Sequence, residues 1–302
     1  MSAIADQSVE IEFYGHDQAI NLYCFSGTLT LTHAMHIGSG RGDLTTDALV
    51  VTDGAGKPII PGSSFRGLFR SHIERLLAGL NAAGVTTLWA CQLYDASPLG
   101  ICIGNQVNQE SKDKLKELVN RAKTSGLPAI WNDLPKALCS VCQLFGASAV
   151  WASKIKFSDL NLLNEPLTQI RHGVGIHRDS GTAAPGVKYD KLVVEAGREF
   201  KFEAIAENLT EQDKRLLALG FQAILNGTAA LGGSTGRGLG DFALTGGDVS
   251  WVDCKNKSDL VNYLLKKEYS GSQSLDDFVN ETLNTWLAPQ ENGGGDAQTA
   301  AE

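Results

Sequence analysis

Four of the six cysteines, Cys91, Cys102, Cys139 and Cys142, fall in one stretch of the chain, and the last two form Cys139-Ser140-Val141-Cys142. A CxxC knuckle holds two corners of a tetrahedral zinc site, so a structural Zn²⁺ with Cys91 and Cys102 as the other ligands is the chemistry this set suggests. The first pair lacks knuckle spacing, and ordinary buried thiols are the alternative. A thioredoxin-like role has no preceding βαβ pattern to support it. A second group is GGSTGRGLG at 232–240, with five glycines and Arg237. Glycine lets backbone amides approach a ligand with no Cβ in the way, and a guanidinium fork suits phosphate, so Gly233, Ser234, Thr235, Gly236 and Arg237 are candidates to hold a phosphodiester. A purely structural glycine turn is the competing reading. A third group runs from His36 through Gly38, Ser39, Gly40 and Arg41 to Asp43 and Asp47, then to Ser63, Ser64, Arg66 and Arg70. Arg66 and Arg70 lie one turn apart on a helix, where both can reach a phosphate drawn to its N-terminus; a solvated charged face is the plainer explanation. Together the loops point to RNA.

Nucleotide hydrolysis is disfavoured. The glycine loop lacks the GxxxxGK[ST] order of a P-loop, and it follows a helix and precedes a strand, the reverse of a dinucleotide fingerprint. The chain has 302 residues, 43% of them hydrophobic, enough for a substantial core. A net charge of −8 argues against indiscriminate nucleic-acid binding, yet Arg41, Arg66, Arg70, Arg75, Arg171, Arg178 and Arg237 make a basic face on an acidic body the consistent picture. There is no signal-like N-terminus and no apolar run of about 18 residues, so the expected location is the cytoplasm, with no membrane contact.

These groups need elements to position them. Residues 21–33 alternate as a half-buried strand, and Ser63 or Ser64 is the expected N-cap of a helix over about 65–80. Residues 81–152 break the rhythm with loops and a charged helical patch at 111–123, and read as an insertion. Residues 154–163 return as a strand, and the polar 165–197 reads as a flexible protruding hairpin. A cleanly alternating strand at 199–207 precedes a helix capped by Thr210 with Asp213 in a capping box, stopping at Asn226 and Gly227; a strand at 241–244 follows the glycine loop. This order predicts an α+β, ferredoxin-like sheet with two helices on one face, an RNA-recognition layout. The residues after about 288 are too polar to bury and are expected to be disordered.

Four ordered segments resemble the RAMP superfamily, and within it the repeated backbone subunit of type III CRISPR effector complexes. They are His36-Ile37-Gly38-Ser39-Gly40, Thr46-Asp47-Ala48-Leu49-Val50-Val51, Ile60-Pro61-Gly62-Ser63-Ser64-Phe65-Arg66-Gly67 with Arg70, and the loop at 232–240. The resemblance implies one RAMP domain with a core of about 21–80, 153–164 and 198–250. It also implies a thumb-like hairpin carrying Arg171, His177 and Arg178, with a flexible tip at 182–190. It further implies binding of a CRISPR guide RNA, pairing with a target RNA, and stacking with other subunits, copies or paralogues. In that family the aspartate of the loop after the first strand promotes target cleavage with a divalent metal, here Mg²⁺ or Mn²⁺, and the matching residue is Asp47. A carboxylate there can bind the cation or help deprotonate a 2′-hydroxyl; Asp43 is the alternative, and an aspartate that merely caps a turn is the structural one. A non-catalytic guide-binding module and a metal-independent RNA-processing nuclease are the competing functions.

Overall fold

A computed structural model describes residues 18–43, 46–92, 100–105, 107–126, 129–148 and 150–288; the polar tail lies outside them. A five-stranded antiparallel sheet forms the centre. Its strands are β1 (Asn21–Leu31), β3 (Ile155–Phe157), β7 (Glu199–Glu207), β8 (Phe242–Asp253) and β9 (Gly271–Ser274), in the order β3-β7-β1-β8-β9. β7 shows why it folds this way, since Phe200, Phe202, Ala204 and Ala206 are buried and every residue between them is exposed. Its register sets Phe202 against Gly27 and Ala204 against Phe25 of β1.

Three helices cover the inner face. α1 (Gly62–Ala82) buries Phe65, Phe69, Ile73 and Leu77, α4 (Glu211–Leu225) buries Leu217, Phe221 and Ile224, and α6 (Leu275–Leu287) buries Leu275, Phe278 and Val279. The shared core is aromatic, with ring centroids of Phe69 and Phe221 4.8 Å apart and those of Phe65 and Phe202 5.1 Å apart. α1 and α4 meet so closely that a Cβ on Gly220 would lie 2.5 Å from the Phe69 ring. α6 is a third covering helix where two were expected; it begins after β9 and a short α5 (Lys257–Lys266).

The expected strand over 154–163 is two pieces, β3 and β4 (Leu160–Asn161), and β4 pairs with β2 (Ile59–Ile60) outside the main sheet. The break explains a second departure. Pro61, not Ser63 or Ser64, is the N-cap of α1 and gives no side-chain bond; instead Gly62 N donates at 2.8 Å to Oδ1 of Asp159, one of the two residues between the two pieces.

The capping box at Thr210 is present, and Asp213 does more than cap. Its Oδ2 accepts from Thr210 N at 2.9 Å and from Lys154 Nζ at 2.6 Å, with 6% and 1% of the Lys154 and Asp213 side chains exposed. Removing one partner strands a buried charge. Asp213→Ala should therefore cost about 3–5 kcal/mol in denaturant unfolding, against about 1 kcal/mol for Thr210→Ala. Equal losses for the two would show that the ion pair adds nothing.

The segment 81–152 is less loop-like than its composition suggested. It carries α2 (Gln109–Ser125) and α3 (Ser140–Phe145), and its buried Ile103, Leu118, Leu138, Val141, Leu144 and Phe145 join the main core. The polar 165–197 forms an antiparallel ladder of β5 (Thr168–Ile176) and β6 (Ala183–Val194), with a shift in register between Val174 and Ile176, anchored at its base by buried Val193 and Val194.

Candidate functional site

Three segments far apart in sequence converge beside the outer end of β1: the loop after β1, the base of the β5–β6 hairpin, and the glycine loop before β8. The first loop folds on itself, with Gly38 bridged to Val50 and Ser39 N donating to Leu49 O at 2.8 Å. It joins the hairpin through Leu192 N to Ala48 O at 2.9 Å and through Asp190 N to Asp47 Oδ2 at 2.8 Å. It joins the glycine loop through Gly233 N to His36 O and Gly240 N to Ala34 O, each 2.8 Å. The glycine loop closes the triangle on the hairpin, where Lys191 Nζ donates to Ser234 Oγ at 2.8 Å and Arg237 donates to the Tyr189 hydroxyl.

Glycine is required at two of these junctions. Gly232 has φ +81° and a Cβ there would lie 2.2 Å from His36 O; Gly240 has φ +95° and a Cβ would lie 2.1 Å from Leu231 O. Ser234 also adopts the left-handed region, and Thr235–Arg237 form one 3₁₀ turn that leaves Thr235, Gly236 and Arg237 exposed.

Asp47 is exposed on this face, and its Oδ2 is fixed by the Asp190 amide. Among the described residues nothing donates to its Oδ1. Asp43 is a turn residue, its Oδ1 accepting from Thr46 N at 2.7 Å. Ser39, Gly40 and Arg41 are exposed alongside, as are Arg171 and the tip residues His177 and Arg178. His36 departs from its expected role as a phosphate contact. It is 7% exposed, and its Nδ1 bonds Leu192 O at 2.7 Å, so it ties the loop to the hairpin.

Arg66 and Arg70 also turn elsewhere. Arg66 donates to Phe145 O, and both guanidinium groups lie over the Phe145 ring, 5.5 and 5.9 Å from its centroid. Arg70 donates to Glu74 Oε1 at 2.7 Å and to Cys142 Sγ at 3.5 Å. Burial disfavours the Arg70 charge, but Glu74 and Cys142 outweigh it and its pKa is raised. The side of α1 that they occupy is covered by α3, so these arginines serve the cysteine site. Ser63 and Ser64 stay in the first turn of α1, Ser63 exposed.

The four cysteines come together. Cys91, Cys102, Cys139 and Cys142 are all buried, with their sulfurs within 4.8 Å of one another. Cys91 and Cys142 sulfurs are 3.7 Å apart, far beyond a disulfide bond of about 2.05 Å and close to the edge of a tetrahedron built on a Zn–S bond of about 2.3 Å. Cys139 N donates to Cys102 Sγ at 3.2 Å, and Cys142 N to Cys139 Sγ at 3.3 Å. Hydrogen bonds within the cluster lower the Cys102 thiol, with Cys139 the largest cause, and raise the Cys139 thiol, with Cys102 the largest cause, so the four sulfurs titrate as one set. The donor set fits a four-sulfur metal site, and Arg66 and Arg70 place positive charge where a zinc tetrathiolate would carry net negative charge.

An antiparallel sheet under covering helices, with a glycine-rich loop and a long hairpin meeting at one end of its first strand, defines a mixed α/β protein. The chain belongs to the RAMP superfamily, whose family model matches residues 28–243. It is also 25% identical over 267 residues to the "CRISPR system Cms endoribonuclease Csm3" of Methanocaldococcus jannaschii, covering 86% of this chain and 92% of that protein. No helix among the described residues is long and apolar enough to cross a membrane.

Proposed function

We propose that this chain is a backbone subunit of a type III CRISPR effector complex that binds guide RNA and cleaves the paired target RNA with Mg²⁺ or Mn²⁺. The observation that carries the reading is the convergence of the glycine loop, the loop bearing Asp47 and the hairpin base on one exposed face, with Arg41, Lys191 and Arg237 on its rim. Similarity to a protein named as a CRISPR endoribonuclease supports it. The strand order β3-β7-β1-β8, with α1 and α4 as crossovers, supports a ferredoxin-like core, and the β5–β6 hairpin is the candidate thumb. In this reading the partners are guide RNA, target RNA and other subunits, copies of this chain included, in the cytoplasm, and the cysteine site holds structural zinc.

Asp47 suits a magnesium site of the kind completed by substrate phosphate oxygens, since among the described residues nothing donates to one of its carboxylate oxygens and no cage of protein ligands surrounds it. A bound cation would neutralise charge on the scissile phosphate; Asp47 itself would hold it there or take the proton of the attacking 2′-hydroxyl. One observation favours the guide-holding scaffold as a second reading: the Asp190 amide bond gives Asp47 a purely structural use.

Guide binding through this face is tested with Arg237→Ala in the assembled complex. Affinity should fall about equally for unrelated guide sequences, and the salt slope should shrink by about one unit, because a phosphate contact is lost. A loss that depends on guide sequence and leaves the salt slope unchanged would contradict this assignment.

A further inference from the structure

The hairpin carries an acid–base pair that the reading above does not use. His172 on β5 faces Asp190 on β6, and His172 Nδ1 lies 2.6 Å from Asp190 Oδ1. The backbone amide of the same Asp190 donates to Asp47 Oδ2 at 2.8 Å. One residue thus fixes two titratable side chains, through its amide on one side and its carboxylate on the other. The His172 side chain is 62% exposed, so with Nδ1 turned to Asp190 its Nε2 is left toward solvent and any bound strand. The tip residue His177 is five positions further along, roughly 16 Å at the rise of a strand, and makes no such pair among the described residues.

We infer that His172 is the general acid of target-RNA cleavage and that Asp190 positions it. The inference rests on the cleavage function proposed above. The attacking 2′-oxygen forms a bond to phosphorus and the bond from phosphorus to the 5′-oxygen breaks. The proton of the 2′-hydroxyl goes to the Asp47 carboxylate, and the proton on His172 Nε2 goes to the departing 5′-oxygen. The products are a 2′,3′-cyclic phosphate and a 5′-hydroxyl; exchange with water returns Asp47 to carboxylate and His172 to its protonated form, so nothing else is consumed. An alkoxide is a poor leaving group, and a proton delivered to it is the contribution a histidine can make beside a carboxylate that handles the other end.

His172 and Asp190 share a face of the hairpin with Lys188, with Asp47 bonded to the Asp190 amide, while Arg171, Tyr189 and Lys191 project from the opposite face, where Tyr189 and Lys191 meet the glycine loop. The His172 hydrogen bond, with the nearby charges of His172 and Lys188, holds the Asp190 carboxyl below the usual carboxylate range, so it stays ionised and keeps the ring oriented. Sequence reading overlooked the pair because it exists only in the hairpin register.

The test uses the assembled complex and two target RNAs, one ordinary and one with sulfur replacing the bridging 5′-oxygen at the cut site, because a thiolate leaves without protonation. On ordinary RNA, His172→Ala and His172→Gln should each cut at least about 10²-fold more slowly while still binding target, and on the sulfur RNA they should cut within a few-fold of wild type. Asp190→Asn should show a smaller defect, again confined to the ordinary RNA, which a merely structural role would not produce. Equal defects on both RNAs, or His172 variants that cut ordinary RNA at the wild-type rate, overturn the inference while Asp47 dependence leaves the cleavage function standing. A wild-type complex that cuts neither RNA overturns both.

Discussion

Replacing Asp47 by alanine should lower target cleavage by at least about 10²-fold while guide and target binding persist, because one acid contributes far more to the transition state than to a long charged groove. Alanine alone cannot separate chemistry from structure, since Asp47 also accepts the Asp190 amide. Asp47→Asn can. The amide oxygen of asparagine still accepts from Asp190 N, whereas the negative charge needed to hold a cation or take a proton is gone. Asp47→Asn should therefore be as inactive as the alanine variant, with unchanged stability. Asp43→Asn is the matched control: its side chain can still accept from Thr46 N and keep the turn, so cleavage should stay within a few-fold of wild type. An active Asp47→Asn would make the residue a fastener for the hairpin and leave the scaffold reading in place.

Stripping metal from the cysteine site is the second large effect. Purified protein should carry about one zinc per chain, and removing it should forfeit stability of the order of 10 kcal/mol that the site can supply on folding. The loss should not stay local, because Val141, Leu144 and Phe145 of α3 belong to the same core as Phe69 of α1. Chelation or Cys139→Ser should thus lower the melting temperature of the whole chain and release Arg66 and Arg70 from their places over Phe145. Metal-free protein melting at the same temperature as the purified form would mean that the four cysteines are ordinary core thiols.

What could be read before folding follows the range of the signals. β7 and the capping box of α4 rest on residues within a few positions of one another, and both are present where the pattern put them. The CxxC knuckle needed only its own spacing, although finding its partners Cys91 and Cys102 close by required the fold. Longer-range devices left no local trace. Asp159 caps α1 from 97 residues away, and no pattern near Ser63 reveals that. Arg66 and Arg70 sit on the polar side of an amphipathic helix, which reads as open to ligand until α3 is seen to cover it. β8 runs on to Asp253, past the expected 241–244, through Gly246 and Gly247; glycine weakens a strand and marks irregularities, and β1 meets it there with a shift in register. α6 carried its own start signal in Ser274 and Asp277, a cap that polar composition around it obscured.

The most direct measurement is the mapping of cut sites in a matched target RNA by the wild-type assembled complex, with Mg²⁺ or with a chelator. The account predicts cuts at regular intervals within the paired region in Mg²⁺ and none in chelator. Uncut target in Mg²⁺, or the same cuts in chelator, would contradict it.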